Sequence, residues 1–195
     1  MPRTQQENER IRQATKENIR AAAMDIFIEQ GYHDASIDDI AKRAGVSKGL
    51  LYNYYKGKEE LLAEMVKNRI DEIGRVMQTA SGPGSHCERL KHIIEGALDN
   101  VKLRPSVYRF FLHLQTQPEE DKVLSKYSQM LNEAMAGHFE TQCEVFSELG
   151  ASNARMRSLY FSTTLHGTMQ MITIYQDNYP VEEMKRQIIR QFCMK

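Results

Sequence analysis

The sequence predicts an all-α fold of about nine helices, a compact N-terminal triplet followed by a larger C-terminal bundle. Apolar residues recur three and four positions apart along nearly the whole chain, which is the helical period. No stretch alternates apolar and polar residues at the two-residue period of a strand. Only five prolines and eleven glycines interrupt the 195 residues, so long uninterrupted segments remain.

Each helix has its own signal. Ile19, Ala22, Ala23, Ile26 and Phe27 form the first stripe, which ends at Gly31. Ser36 and Asp39 have capping-box spacing and open a second, short helix with Ile37, Ile40 and Ala41 on its apolar face, stopping near Gly45. Ser47 caps a third, anchored by Leu50 or Leu51 and exhausted at Tyr55, Lys56 and Gly57. From Lys58, the residues Leu62, Val66, Ile70, Ile73 and Met77 mark a longer fourth helix that stops at SGPGS, residues 81–85. Leu90, Ile93, Ile94, Ala97, Leu98 and Val101 give a fifth; Pro105 opens a sixth carrying Val107, Phe110, Phe111 and Leu114. After Pro118 a seventh runs from about Glu119 to Leu149 with Leu131, Met135, Phe139, Cys143 and Phe146 inward, Gly137 being its weak point. Ser152 caps an eighth through about Gln176, and Pro180 opens a ninth with Val181, Met184, Ile188, Ile189 and Phe192 on one face.

Composition excludes several classes. Forty-one per cent hydrophobic and 27% charged residues suit a chain that buries a core rather than a disordered one. No apolar run reaches the length of a membrane helix and MPRTQQENER has no signal-peptide core, so no membrane partner and a cytoplasmic location are expected. The three cysteines, Cys87, Cys143 and Cys193, fit neither a disulfide framework nor a zinc knuckle and read as buried thiols; with the histidines scattered, neither a metal nor another cofactor is expected. H-E-x-x-H, G-x-S-x-G and Gly-rich phosphate-loop motifs are all missing, so the expectation is that the protein is not an enzyme. Lys plus Arg (26) cancels Asp plus Glu (26), so any attraction to a polyanion has to come from a local patch.

That patch lies in Ser36 to Tyr55, SIDDIAKRAGVSKGLLYNYY, two short helices around a turn at Ala44-Gly45-Val46. Ala41 is small enough for the helices to cross closely, Gly45 takes the sharp turn, and Val46 and the leucines anchor the second helix. Geometry alone also permits a structural hairpin in a helical interaction protein. Charge favours nucleic acid: Lys42, Arg43, Lys48, Lys56 and Lys58 are basic, and no acidic residue occurs between Asp39 and Glu59.

The same residues, with EQGY at the end of helix one and KGKEELL after the turn, resemble the N-terminal domain of TetR-family bacterial transcription regulators over about Gln13 to Ile73. The resemblance implies a DNA-binding domain over 13–73 with its helix-turn-helix at about 36–55, and a ligand-binding and dimerisation domain over 74–195. It makes Ser47 to Tyr55 the recognition helix, with Lys48, Gly49, Tyr52, Asn53 and Tyr54 nearest the DNA. Ser36 and Lys58 take positions that contact phosphates, and Tyr55 stands where the family usually has phenylalanine. The implied function is a homodimeric repressor that occupies a palindromic double-stranded operator and answers a small-molecule effector. Arg10, Arg12 and Lys16 are candidates for a minor-groove or phosphate arm, but they alternate with Glu7, Glu9 and Glu17 and read better as a solvated face.

In the C-terminal part, the candidate pocket residues are Tyr108, Phe111, Phe139, Cys143, Phe146, Tyr160, Thr164 and His166, an aromatic set with polar tips. Candidate dimer residues are Leu159, Leu165, Met169 and Ile172 in helix eight and Met184, Ile188 and Phe192 in helix nine. Internal core is the alternative for both sets. Operator sequence, regulated genes and effector identity are not written in these residues.

Overall fold

The computed structural model describes residues 4–80 and 84–193, and all regular structure among them is helical. The helices are α1 (Gln5–Gln30), α2 (Ile37–Ala44), α3 (Lys48–Tyr52), α4 (Lys58–Ala80), α5 (His86–Leu103), α6 (Pro105–Gln115), α7 (Lys122–Glu148), α8 (Ala154–Tyr175) and α9 (Val181–Cys193), with a 3₁₀ turn at Gln176–Asn178. Residues 81–83 of the SGPGS break lie outside the described residues. The chain divides into two compact units, residues 1–67 and 68–195. No described helix is long and apolar enough to cross a membrane.

In the first unit α1 starts well before its apolar stripe, because Thr4 and Glu7 form a reciprocal capping box. Ile19, Ala23, Ile26 and Phe27 then bury one face of α1, and α2 packs on that helix. Gly45 adopts the left-handed conformation (φ 66°) that ends α2 and turns the chain, a position where a Cβ is strained. Ser47 caps α3 by accepting from the Leu50 amide, and it is Leu51, wholly buried, that anchors the helix while Leu50 faces out. α1 is clamped to the first half of α4 by Glu64, whose carboxylate accepts from Lys16 at 3.3 Å and from Arg20. Burial pushes the Glu64 carboxyl up, but the two cations outweigh it and leave it below the usual range. Tyr55 packs into this unit's core with the Lys16 ammonium 5.4 Å from its ring centre, and burial raises its phenol far above the usual value.

The second unit is a bundle in which α5 packs on α6, α8 and α9, while α7 packs on α6 and α8. Its centre is aliphatic on α5 (Leu90, Ile94, Leu98) and aromatic elsewhere: Phe161 lies 5.6 Å from Phe146 and 5.1 Å from Phe192, both edge-on. Lys185 of α9, nearly buried, donates to Asp99 of α5 at 2.5 Å and to Glu182 at 3.0 Å, so its charge is paired. Pro105 opens α6 as the sequence expects. α7 is capped by Asp121 and runs unbroken through Gly137; α8 is capped by Asn153 rather than Ser152, its carboxamide oxygen accepting from the Met156 amide at 2.9 Å. The three thiols are half-buried and free.

Candidate nucleic-acid interface and effector cavity

α2 and α3 present one exposed polar edge. Ser36 caps α2, accepting from the Asp39 amide at 3.1 Å and donating to the Asp39 carboxylate at 2.5 Å. Lys48, in the first turn of α3, reaches back to Asp38 at 2.8 Å, and that hydrogen bond holds its ammonium above the usual range. A Cβ added at Gly49 would meet nothing within 4 Å, so the exposed side of α3 is bare backbone there. Tyr52 is 48% exposed one turn on. α3 is shorter than expected: Asn53 is its C-cap and Tyr54 lies in the turn beyond, half-buried, with the Arg12 guanidinium 5.7 Å from its ring centre. Arg12, read from the sequence as solvated, is thus brought to the end of α3; the missing signal was that α1 is long enough to carry it there.

The basic run is less free than its sequence suggests. Arg43 forks onto Glu29 of α1 at 2.9 and 2.6 Å, a hydrogen-bonded pairing that raises the guanidinium and lowers the carboxyl. Lys58 donates to the carbonyls of Tyr32 (2.9 Å), His33 (2.6 Å) and Ala35 (3.0 Å) and lies 4.9 Å from the Tyr32 ring centre. Its ammonium therefore fixes the α1–α2 loop immediately before Ser36 instead of projecting from the surface.

The second unit holds a cavity of about 120 Å³ between the later half of α4 and α5, α6, α7 and α8. Most of its wall is apolar, from residues such as Ile73, Ile93, Leu112, Leu131 and Met135. Of the candidate pocket residues Tyr108, Phe111 and His166 line it. Phe139, Cys143, Phe146, Tyr160 and Thr164 do not line it. Phe146 is core, Phe139 carries the Arg155 guanidinium 5.2 Å from its ring centre, Tyr160 is exposed and accepts from Gln191 at 2.5 Å, and Thr164 donates to the Tyr160 carbonyl. The lining groups missed include several polar ones as well as Ile73 and the other apolar wall residues. Arg69 pairs with Glu72 at 2.9 Å, and Glu72 also accepts from Asn100 at 2.7 Å and from Arg104. Burial raises the Glu72 carboxyl, but these donors more than offset it and leave it low. Ser162 donates to Gln142 at 2.9 Å, and the buried Nε2 of His138 has no hydrogen-bond partner. Burial lowers both His138 and His166, which favours neutral imidazoles.

Residues 19–65 match the model of bacterial regulatory proteins of the tetR family. That segment is a TetR-family domain. The chain is 34% identical over 89 residues to the transcriptional activator FasR of Mycolicibacterium smegmatis, covering 45% of this chain and only 41% of FasR. Against the regulator BetI of Serratia proteamaculans it is 27% identical over 143 residues, 71% of each chain. The fold also matches a solved structure of the regulator FadR from Bacillus subtilis in complex with stearoyl-CoA, with TM-score 0.70, 21% identity, and 91% of this chain and 97% of that one covered. The helix-turn-helix lies within that TetR-type DNA-binding domain, and the matched residues run from α1 into α4.

The candidate dimer residues fall mostly inside the second unit. Leu165, Met169, Ile172, Ile188 and Phe192 are buried in the second unit's core, Leu165 and Met169 also lining the cavity; Met184 is half-buried and only Leu159 is exposed. The exposed apolar groups of α8 are on its other side: Met156 (60% exposed), Tyr160, Met171 and Ile174 (58%), spaced as one helical stripe. A helix apolar on two faces gives no sequence signal for which face turns inward.

Proposed function

We propose that this regulator is a homodimeric repressor that occupies a palindromic operator in the cytoplasm and is released by a small-molecule effector. The observation that carries the DNA contact is the outward side of α3, where Gly49 leaves backbone bare beside exposed Lys48 and Tyr52. A helix without a side chain there enters the major groove closely, with Tyr52 donating to a phosphate, Ser36 doing so by exchanging the Asp39 carboxylate for one, and Asn53 and Tyr54 beside the bases. Lys48 exchanges Asp38 for a phosphate, and Lys58 acts by holding the loop that positions Ser36.

In this reading residues 13–73 bind DNA and 74–195 bind effector and partner. The exposed stripe of α8 meets its two-fold mate, and α4, which starts beside the α1–α2 loop and contributes cavity wall at residues 69–77, transmits occupancy. A two-fold dimer reads two half-sites only if its recognition helices stand about 34–36 Å apart, so a small tilt of α4 suffices to weaken binding, about 5- to 150-fold in typical allostery. Repression follows from operator occupancy alone, whereas activation needs a further contact with polymerase. No catalytic step is assigned to any residue.

The test is selection of bound sequences from a random duplex library by the purified protein, followed by titration at several salt concentrations and a reporter assay with the selected site. Enrichment of a palindrome bound two chains at a time, with lowered reporter output, is the expected result. Only weak, salt-sensitive binding with no enriched sequence rejects the operator reading, and raised output rejects repression.

A further inference from the structure

Arg69, Glu72, Asn100, Gln142 and Ser162 of the cavity wall have their side chains matched within the protein. Arg69 and Glu72 face each other as an ion pair, so together they contribute no net charge, and Arg69 is further engaged with the Phe111 ring 5.7 Å away. Gln142 and Ser162 bond each other across α7 and α8. His138 stands one turn before Gln142 on α7, and His166 one turn after Ser162 on α8, so these four make a polar arc in an otherwise apolar wall. In that arc the His138 Nε2 is buried with no partner. A buried polar atom left unsatisfied is unfavourable, and a cavity that takes a ligand is where such a vacancy is filled.

We infer that the cavity takes a small molecule with an apolar body and one uncharged hydrogen-bonding group, a hydroxyl or a carbonyl, that pairs with the His138 imidazole. The inference rests on the effector-responsive reading above and names its ligand class. A neutral imidazole serves either chemistry, donating from Nε2 to a carbonyl or accepting there from a hydroxyl, according to its tautomer. A ligand anion would have to draw Arg69 away from Glu72, the carboxylate it shares with Arg104 outside the wall, and breaking that partly buried cluster is costly. The apolar body gains by leaving water for a wall of aliphatic and aromatic side chains. A charged ligand such as the stearoyl-CoA of the Bacillus subtilis structure is the contrasting case.

The experiment uses the full chain and an eight-carbon series, read as the affinity obtained from ligand-dependent melting at pH 7.5: octane, 1-octanol, 2-octanone, octanoate, octyltrimethylammonium and octanoyl-CoA. Octanol and octanone are expected to bind about tenfold or more tighter than the three charged compounds. His138→Phe is expected to cost octanol and octanone about three- to tenfold while leaving octane unchanged, and His138→Gln to retain most of the difference. If His138→Phe does not fold, His138→Leu takes its place. Charged compounds that bind as well as octanol, a series that does not bind at all, or an octanol affinity indifferent to His138 would each overturn the assignment. DNA selection with the same preparations separates the two readings. A protein that binds an operator but ignores the series loses only the ligand class, and one that binds octanol but no DNA loses the regulator.

Discussion

Gly49 and Lys58 show how single residues divide the work of the DNA-binding unit. Because a Cβ at position 49 meets no protein atom, Gly49→Ala should not strain the fold; alanine's helix preference should instead stabilise it by up to about 1 kcal/mol. The same methyl lies where the groove must come close, so operator affinity is expected to fall while the melting temperature holds or rises. Equal affinity with a higher melting temperature would remove Gly49 from the interface. Lys58 behaves oppositely. Lys58→Met removes three bonds from an ammonium to the α1–α2 loop carbonyls and should cost about 1.5–3 kcal/mol in urea unfolding, with the salt slope of DNA binding unchanged. A slope smaller by about one would return Lys58 to a phosphate contact. The sequence marked both residues as special but not how they differ: a lysine's four-carbon stem reaches either outward to a phosphate or inward to a carbonyl, and only the packed loop decides.

At the scale of elements, helix existence was legible and helix orientation was not. The nine α-helices among the described residues follow from apolar period and from the cap, Gly and Pro signals between them, and Ile19, Ala22, Ala23, Ile26 and Phe27 are all buried as their stripe implies. On α7, however, steps of four from Leu131 to Met135, Phe139 and Cys143 rotate about 40° each, so the set walks off the inner face, whereas Leu131, Met135, His138 and Gln142 stay on it and line the cavity. The polar members of that stripe were passed over because an inward face was sought among apolar residues. α8 has two apolar sides, and the distinction is testable. Ile174→Asp, on the exposed stripe, should yield a folded monomer in sedimentation; Ile172→Asp, two residues away and 2% exposed, should instead unfold the second unit. If Ile174→Asp remains dimeric, the exposed stripe of α8 is not the partner surface.

Over the whole molecule, the half-buried histidines His138 and His166 give stability a pH dependence that a neutral formal charge conceals. Burial lowers His138 and His166 in the folded state, while in the unfolded chain they titrate near the usual value of about 6.5. Between the unfolded and the folded values the unfolded chain binds more protons, so stability rises with pH there. This contribution is fully present above about pH 6.5 and is lost as pH falls toward the lowered folded values. The paired carboxylates Glu64 and Glu72, held low in the folded state, lose their contribution in a separate and more acidic window, as pH falls from about 4.3, the unfolded value, through their folded values. The urea midpoint is therefore expected to fall between pH 7 and 5.5 before the carboxylates begin to protonate. His138→Gln combined with His166→Gln should flatten that first decline and leave the second. A double variant with an undiminished decline above pH 5 would show that these two imidazoles are not what the acid attacks. Occupancy of the cavity enters the same balance: a neutral ligand bonded to His138 holds the imidazole uncharged, so 1-octanol should extend the decline to lower pH, whereas an anion would favour the imidazolium and diminish it.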